Sequence, residues 1–400
     1  MNEQLCIKNF GPVKDVSITM KRVVIFIGDQ GAGKSTIAKM YSLCRWMEKS
    51  LILGRITPRL IEHRNLFVTQ FCKFHRMEEF FTEDTYIQYI SNSYEFEYKN
   101  QQLRITLKQE NLFAIPKLLY VPSERSILST MEKTARFIDK EMPEALLSFS
   151  TAYERAKEFF AEGYDLPFEN FEFKYDNLNK ISWIIDETGV RSRLSAASSG
   201  IQSSLPLILV SEHNTQIVNS KKERELNTHE FFILRRKVAD IINREDIADS
   251  VKTLMLQDIS SYTYYNSFVN IVEELEISLF PQSQVNVLNV LLRELNSNPL
   301  NQLILTTHSP YLLNAINISM MAYKIAQSNA DTNISSLIPV STDCQLDSQD
   351  VEVYALSRSD NNYCISVIDK RKGVIGDNFL QSISIKQSRL LNDLFVQTTN

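Results

Sequence analysis

Apolar positions along the chain fall into two kinds of pattern. Val23-Val24-Ile25-Phe26-Ile27 is a continuous, β-branched run, which predicts a buried strand. Ser267–Val272 and Leu303-Ile304-Leu305 predict two more. Ile37, Met40, Tyr41, Cys44 and Met47 follow the first run at spacings of three and four, the pattern of a helix, and Val285, Leu288, Leu291, Leu292 and Leu295 mark an amphipathic helix between the other two. Elsewhere the period is two. Tyr94, Phe96 and Tyr98 alternate with Glu95, Glu97 and Lys99, and Leu103, Ile105 and Leu107 mirror them across Asn100-Gln101-Gln102, which predicts a β-hairpin. Phe171, Phe173 and Tyr175 belong to a second hairpin or meander near Trp183–Leu194, with its turn at Asp186-Glu187-Thr188-Gly189. Residues 126–165 read as largely helical with a break at Pro143, and 211–262 as charged and helical. The tail reads as strands at Val351–Leu356 and Tyr363–Ile368, a turn at Lys370-Arg371-Lys372, and a helix near Asp377–Leu394.

Composition narrows the class. The 400 residues are 44% hydrophobic, ordinary for a globular chain with a substantial core. With 43 basic and 48 acidic residues the net charge is −5, which argues against a generally basic nucleic-acid binder. The apolar runs Val23–Ile27 and Leu205–Val210 fall far short of the roughly 20 residues of a membrane helix. Met1-Asn2-Glu3-Gln4 has no signal-peptide character, and Cys6, Cys44, Cys72, Cys344 and Cys364 are scattered without a CxxC. Together these features point to a cytoplasmic protein with reduced thiols and no membrane partner.

Glycine carries the first chemical signal. Only 10 are present, against about 28 at the usual ~7%, yet Gly28, Gly31 and Gly33 fall within six residues. They belong to Gly28-Asp29-Gln30-Gly31-Ala32-Gly33-Lys34-Ser35-Thr36, a complete GxxxxGK[ST] between a strand and a helix. Such a loop wraps backbone N–H groups around phosphates at a helix N-terminus. Lys34 is then expected to reach the β- and γ-phosphates and Ser35 to ligate Mg²⁺.

Three downstream segments complete the expected site. The strand Ser267–Val272 ends in Glu273-Glu274, where one acid can serve the metal shell and the other can polarise an attacking water. The strand at Leu303 ends in Thr306-Thr307-His308-Ser309-Pro310, and a neutral His308 there can contact a γ-phosphate. Ser198-Ser199-Gly200 opens a helix and offers a hydroxyl and free N–H groups to an anion.

This ordered set resembles the ATP-binding-cassette (ABC) ATPase superfamily. Within it the chain is similar to the soluble RecF, SMC and overcoming-lysogenization-defect (OLD) branch, and more closely to stand-alone prokaryotic "AAA family" ATPases related to OLD. Leu5–Asp15 resembles their first strand and turn, and Tyr120-Val121-Pro122-Ser123-Glu124-Arg125 a strand-end segment of that group. The resemblance implies an α/β P-loop head with a mainly parallel sheet, an antiparallel β-lobe at about 85–195 and helical inserts. The head is split over 1–210 and 263–400, with 211–262 as a dimerisation or partner-binding insert. It also implies ATP and Mg²⁺ as cofactors, Glu273 as metal-shell acid, Glu274 as general base and His308 as switch histidine. Ser199 and Gly200 of one copy face the ATP held by Lys34 of another, in a homodimer or higher homo-oligomer. Two positions depart from the group's pattern: Leu275 stands where proline is common and Phe280 where histidine is. An LSGGQ of the transporter type is absent.

Only 92 residues follow His308, without a DxD pair, whereas OLD nucleases append a metal-dependent domain there. The expected function is therefore an ATP-driven switch for a separately encoded effector, a nuclease or toxin, in prokaryotic antiphage defence. The alternative is an ATP-gated, RecF-like DNA-binding protein in repair. Lys221-Lys222-Glu223-Arg224 and Arg235-Arg236-Lys237 are the basic runs that leave nucleic-acid contact open.

Overall fold

The structure is a computed structural model that describes residues 3–108, 115–131, 142–168, 170–221, 223–226, 228–244, 246–248, 250–253, 261–328, 340–358, 363–376 and 387–391. Lys222 and most of the helix expected near Asp377–Leu394 lie outside the described residues; 387–391 are helical.

Strands β1 (Glu3–Phe10), β2 (Val13–Met20) and β3 (Val23–Gly28) lead through residues 29–33 into helix α1 (Lys34–Ile52). Helix α2 (Pro58–Glu62) precedes β4 (Phe81–Ile90), β5 (Tyr94–Lys99), β6 (Gln102–Leu107) and β7 (Pro116–Val121). Helices α3 (Ile127–Thr130) and α4 (Glu144–Phe159) precede β8 (Tyr164–Asp165), β9 (Glu172–Asp176), β10 (Ile181–Ile185) and β11 (Arg191–Arg193). Then come α5 (Ser199–Asn219), α6 (Thr228–Ile242), β12 (Ser267–Glu273), α7 (Pro281–Asn296), β13 (Gln302–Thr306), α8 (Pro310–Ser328), β14 (Val351–Leu356) and β15 (Cys364–Ser366). A short hairpin, Ile368–Asp369 with Val374–Ile375, turns at residues 370–373 as expected.

The central sheet has the order β15-β14-β3-β13-β12-β7. All its neighbours pair in parallel except β15, which is antiparallel to β14. The continuous apolar runs are explained by burial on both faces. Along β3, Val23, Ile25 and Ile27 enter one core with α4, α5, α7 and α8, while Val24 and Phe26 enter another with α1 and β1. Every residue of β3, β12, β13 and β14 is buried.

The antiparallel part is two sheets, β2-β1-β4-β5-β6 and β11-β10-β9-β8. The first docks on α1 through a buried polar cluster. Arg45 Nη1 donates to Glu3 Oε1 and to Glu48 Oε2, both at 2.8 Å, and Tyr89 donates to Glu48 Oε2 at 3.0 Å. The expected hairpin at Asn100-Gln101 is present, with both residues at positive φ (51° and 59°), the conformation of a tight two-residue turn.

Candidate functional site

Parallel pairing brings the sequence signals to one edge of the sheet. Thr306 lies opposite Phe26 on one side and Glu273 on the other, Val121 lies opposite Val272, and Leu356 opposite Gly28. The segments after β7, β12, β13, β3 and β14 therefore emerge side by side, where open α/β sheets hold their ligands.

The glycine loop is fixed by what crowds it. A Cβ on Gly28 would overlap the Leu356 carbonyl oxygen, and Gly33, at φ 90°, would put one 2.7 Å from Val13 Cγ2. The Tyr363 hydroxyl ties the Ala32 carbonyl to the Pro12 carbonyl. Asp29, Gln30 and Gly31 are exposed, Ala32 and Gly33 are buried, Ser35 is half-buried and Thr36 is buried. No side chain caps α1 and its first turn has no acid, so its leading N–H groups remain available to an anion. Lys34 folds back over the loop, donating to the carbonyls of Gly28 and Asp29 at 2.9 Å each. Burial lowers its pKa, against the opposing charges of Glu274, Asp29 and Glu276. Arg358, after β14, is a further cation here: its Nη1 lies 3.4 Å from the point a Cβ on Gly31 would occupy.

Strand alternation puts Glu273 on the face of Val269 and Ile271, toward α1. Glu273 is 2% exposed, and its Oε1 makes no close hydrogen bond although the Tyr120 hydroxyl interacts with the carboxylate. A buried carboxylate oxygen without a close hydrogen bond, beside a loop carrying the Ser35 hydroxyl, suits a hard divalent cation, so Mg²⁺ fits these residues. Glu274 is half-buried and adopts φ 42°, which is uncommon for a residue with a side chain. Its N–H donates to Thr306 Oγ1 at 3.1 Å and its carbonyl accepts from Arg125 Nη2 at 3.0 Å. Leu275 is fully buried and anchors the following loop, whereas Phe280 is 74% exposed.

His308 is half-buried. Burial, then the charge of Lys34, lowers its pKa, so its imidazole is neutral at pH 7. Glu276 orients this strand end: Oε2 accepts from Thr307 Oγ1 at 2.8 Å and Oε1 from the His308 N–H at 2.5 Å. Electrostatic coupling thus joins Lys34, Asp29, Glu274, Glu276 and His308 in one cluster.

Ser199 and Gly200 sit elsewhere. Ser199 is exposed at the start of α5, and a Cβ on Gly200 would lie 3.0 Å from the Ser278 carbonyl oxygen. The Ser203 hydroxyl donates to the Ile277 carbonyl at 2.7 Å. Within one chain, the start of α5 is thus stitched to the loop that follows Glu274.

Three of these residues escaped the sequence reading as site components: Glu276, Arg125 and Arg358. A third acid directly behind Glu273-Glu274 was a usable signal for the first, and a basic residue in the segment after β7 for the second; Arg358 had none. Among the described residues no cluster of His, Cys, Asp and Glu forms a separate metal site, and no helix is long and apolar enough to cross a membrane.

No protein-family model matches the chain, and no curated protein does. Among solved structures the chain is similar to the SMC head domain from Thermotoga maritima, at 11% identity and TM-score 0.32, covering 79% of this chain and 92% of that one. It is also similar to the recombination mediator protein RecF-ATPrS of the RecFOR pathway, at 12% identity and TM-score 0.28, covering 78% and 94%. At such scores the function has to be read from the chain's own residues.

Proposed function

We propose that the protein is an ABC-type ATPase that hydrolyses ATP to ADP and phosphate and works as a dimerising switch. The observation that carries this reading is the convergence of a full phosphate loop, Glu273-Glu274 and His308 on one sheet edge. The loop amides, Lys34 and Arg358 hold the phosphates. Ser35 and Glu273 hold Mg²⁺, which supplies charge neutralisation at the phosphates. Glu274 orients the attacking water and accepts its proton, and neutral His308 offers a hydrogen bond to the γ-phosphate. Exposed Ser199 and the N–H groups beside it meet ATP held by a second copy, which makes turnover depend on assembly. The resemblance extends this reading to a separately encoded effector in prokaryotic antiphage defence.

Phosphate release under Mg-ATP tests the chemistry. Lys34→Ala is expected to lose nucleotide binding. Glu274→Gln is expected to bind ATP normally but turn over about 100-fold or more slowly, the usual scale of a lost general base. Wild-type turnover by Glu274→Gln contradicts the assignment.

A further inference from the structure

Arg125 heads the large, wholly buried side chains among the described residues, at 0% exposure. Among the described residues no ion pair includes it, and its hydrogen bonds all run to backbone carbonyls. Nε donates to Ser203 O at 2.9 Å, Nη1 to Glu273 O at 2.7 Å and Pro122 O at 3.2 Å, and Nη2 to Glu274 O at 3.0 Å. One guanidinium therefore joins the ends of β7 and β12 to α5. Burial lowers its pKa to about 10, which leaves it charged at neutral pH.

The charges of Glu276, Glu273, Glu274 and Glu124 favour this buried cation, but no carboxylate bonds it; the carbonyls on its two sides do. On one side is Glu274, held at φ 42°. A side-chain-bearing residue in that region is strained and persists only where its surroundings fix it. Arg125 holds its carbonyl and Thr306 holds its N–H. On the other side is the gap that Pro206, inside continuous α5, leaves in the helix's hydrogen bonds, because it has no N–H for the Gln202 carbonyl. Ser129 Oγ bonds that freed carbonyl at 2.6 Å, and Arg125 takes the next one, Ser203.

We propose that Arg125 is a positioning residue that sets the backbone of Glu274 and couples it to α5, the helix that starts with Ser199 and Gly200. The inference rests on the reading of Glu274 as the base. A shift of α5, when its start engages ATP on a second copy, passes through Ser203 and Arg125 to the Glu274 carbonyl. Assembly then tunes the base of the same chain as well as closing the partner's site.

Arg125→Lys tests this. The ammonium keeps the charge but cannot span the carbonyls of Ser203 and Glu274 together. Phosphate release gives kcat, and a fluorescent ATP analogue gives Kd separately. The expected result is a kcat lower by about 30- to 100-fold, the scale of a small misplacement of a reacting group, with Kd changed less than about threefold. In a Glu274→Gln background, Arg125→Lys is expected to cause no further slowing. Wild-type kcat, a Kd weakened in proportion to kcat, or an additive loss on Glu274→Gln overturns the inference. If Arg125→Lys does not fold, near-isosteric Thr306→Val removes the other bond to the Glu274 backbone. It is expected to give the same selective, non-additive loss, and wild-type kcat there overturns the claim. Glu274→Gln with normal turnover removes the base assignment and this coupling with it. An inactive Glu274→Gln beside a normal Arg125→Lys removes the coupling alone.

Discussion

Replacing Glu276 separates the orientation of His308 from its chemistry. Its carboxylate accepts from the Thr307 hydroxyl and the His308 N–H, so both anchors of the strand end rest on one residue. Hydrogen bonds to a charged group contribute about 1.5–3 kcal/mol each. Glu276→Ala removes both, and water recovers part of the loss because His308 is half-buried. A net loosening of about 1.5–3 kcal/mol corresponds to roughly 10- to 100-fold in kcat, if the His308 contact is made in the transition state. Glu276→Gln behaves differently. Its amide oxygen still accepts from His308 N–H and its nitrogen can donate to Thr307 Oγ1, so kcat is expected to fall less than about tenfold. The charge adds a second signature. Glu276 raises the pKa of His308 against burial, so Glu276→Gln is expected to lower it further. Phosphate release measures the first effect and an NMR titration of the His308 imidazole the second. Wild-type kcat in Glu276→Ala, or a His308 pKa that rises in Glu276→Gln, rules out this role for Glu276.

Other residues give independent tests. Ser199→Arg, at an exposed position, is expected to leave ATP binding and the melting temperature unchanged but to abolish turnover; normal turnover contradicts its action on a second copy. Arg45→Met strands Glu3 and Glu48, both nearly buried, and is expected to cost about 3–5 kcal/mol in urea denaturation. Burial raises the Glu48 pKa and Arg45 holds it down, so without Arg45 the folded chain resists ionising Glu48 further and the loss should shrink as pH falls toward 5; an unchanged midpoint or the opposite trend contradicts the network. Burial pushes the His75 pKa down to about 3, and its Nδ1 has no partner. Between the ordinary value near 6.5 and about 3 the unfolded chain takes a proton that the folded chain refuses. Stability should therefore fall with decreasing pH at up to about 1.4 kcal/mol per unit, and His75→Phe should remove that slope. Equal slopes in urea midpoints against pH for both proteins contradict it.

What could be read in the sequence was local. The phosphate loop occupies consecutive residues between a strand and a helix, so its geometry follows from its own glycines. Glu273 and His308 could be read because each ends an apolar strand, and the strands proved to be neighbours. The antiparallel part was harder. β1 pairs with β4, more than seventy residues away, which no turn chemistry announces, and two sheets stand where one lobe is expected. Helix α5 runs on to Asn219. It does so on buried polar residues: Asn270 Nδ2 donates to Ser211 Oγ at 2.9 Å, a bond across to β12 that periodicity cannot reveal. Arg125 was visible only as part of a strand-end segment. Its role depends on carbonyls supplied from three separate stretches of chain, which no local pattern brings together.

In the proposed assembly ATP joins two copies across Lys34 of one and Ser199 of the other. Light scattering on Glu274→Gln, with and without Mg-ATP, tests it most directly. A mass that doubles only with ATP, and stays single when Ser199→Arg is added, is the predicted result. A mass that ATP does not change, or a doubling that persists with Ser199→Arg, contradicts that assembly.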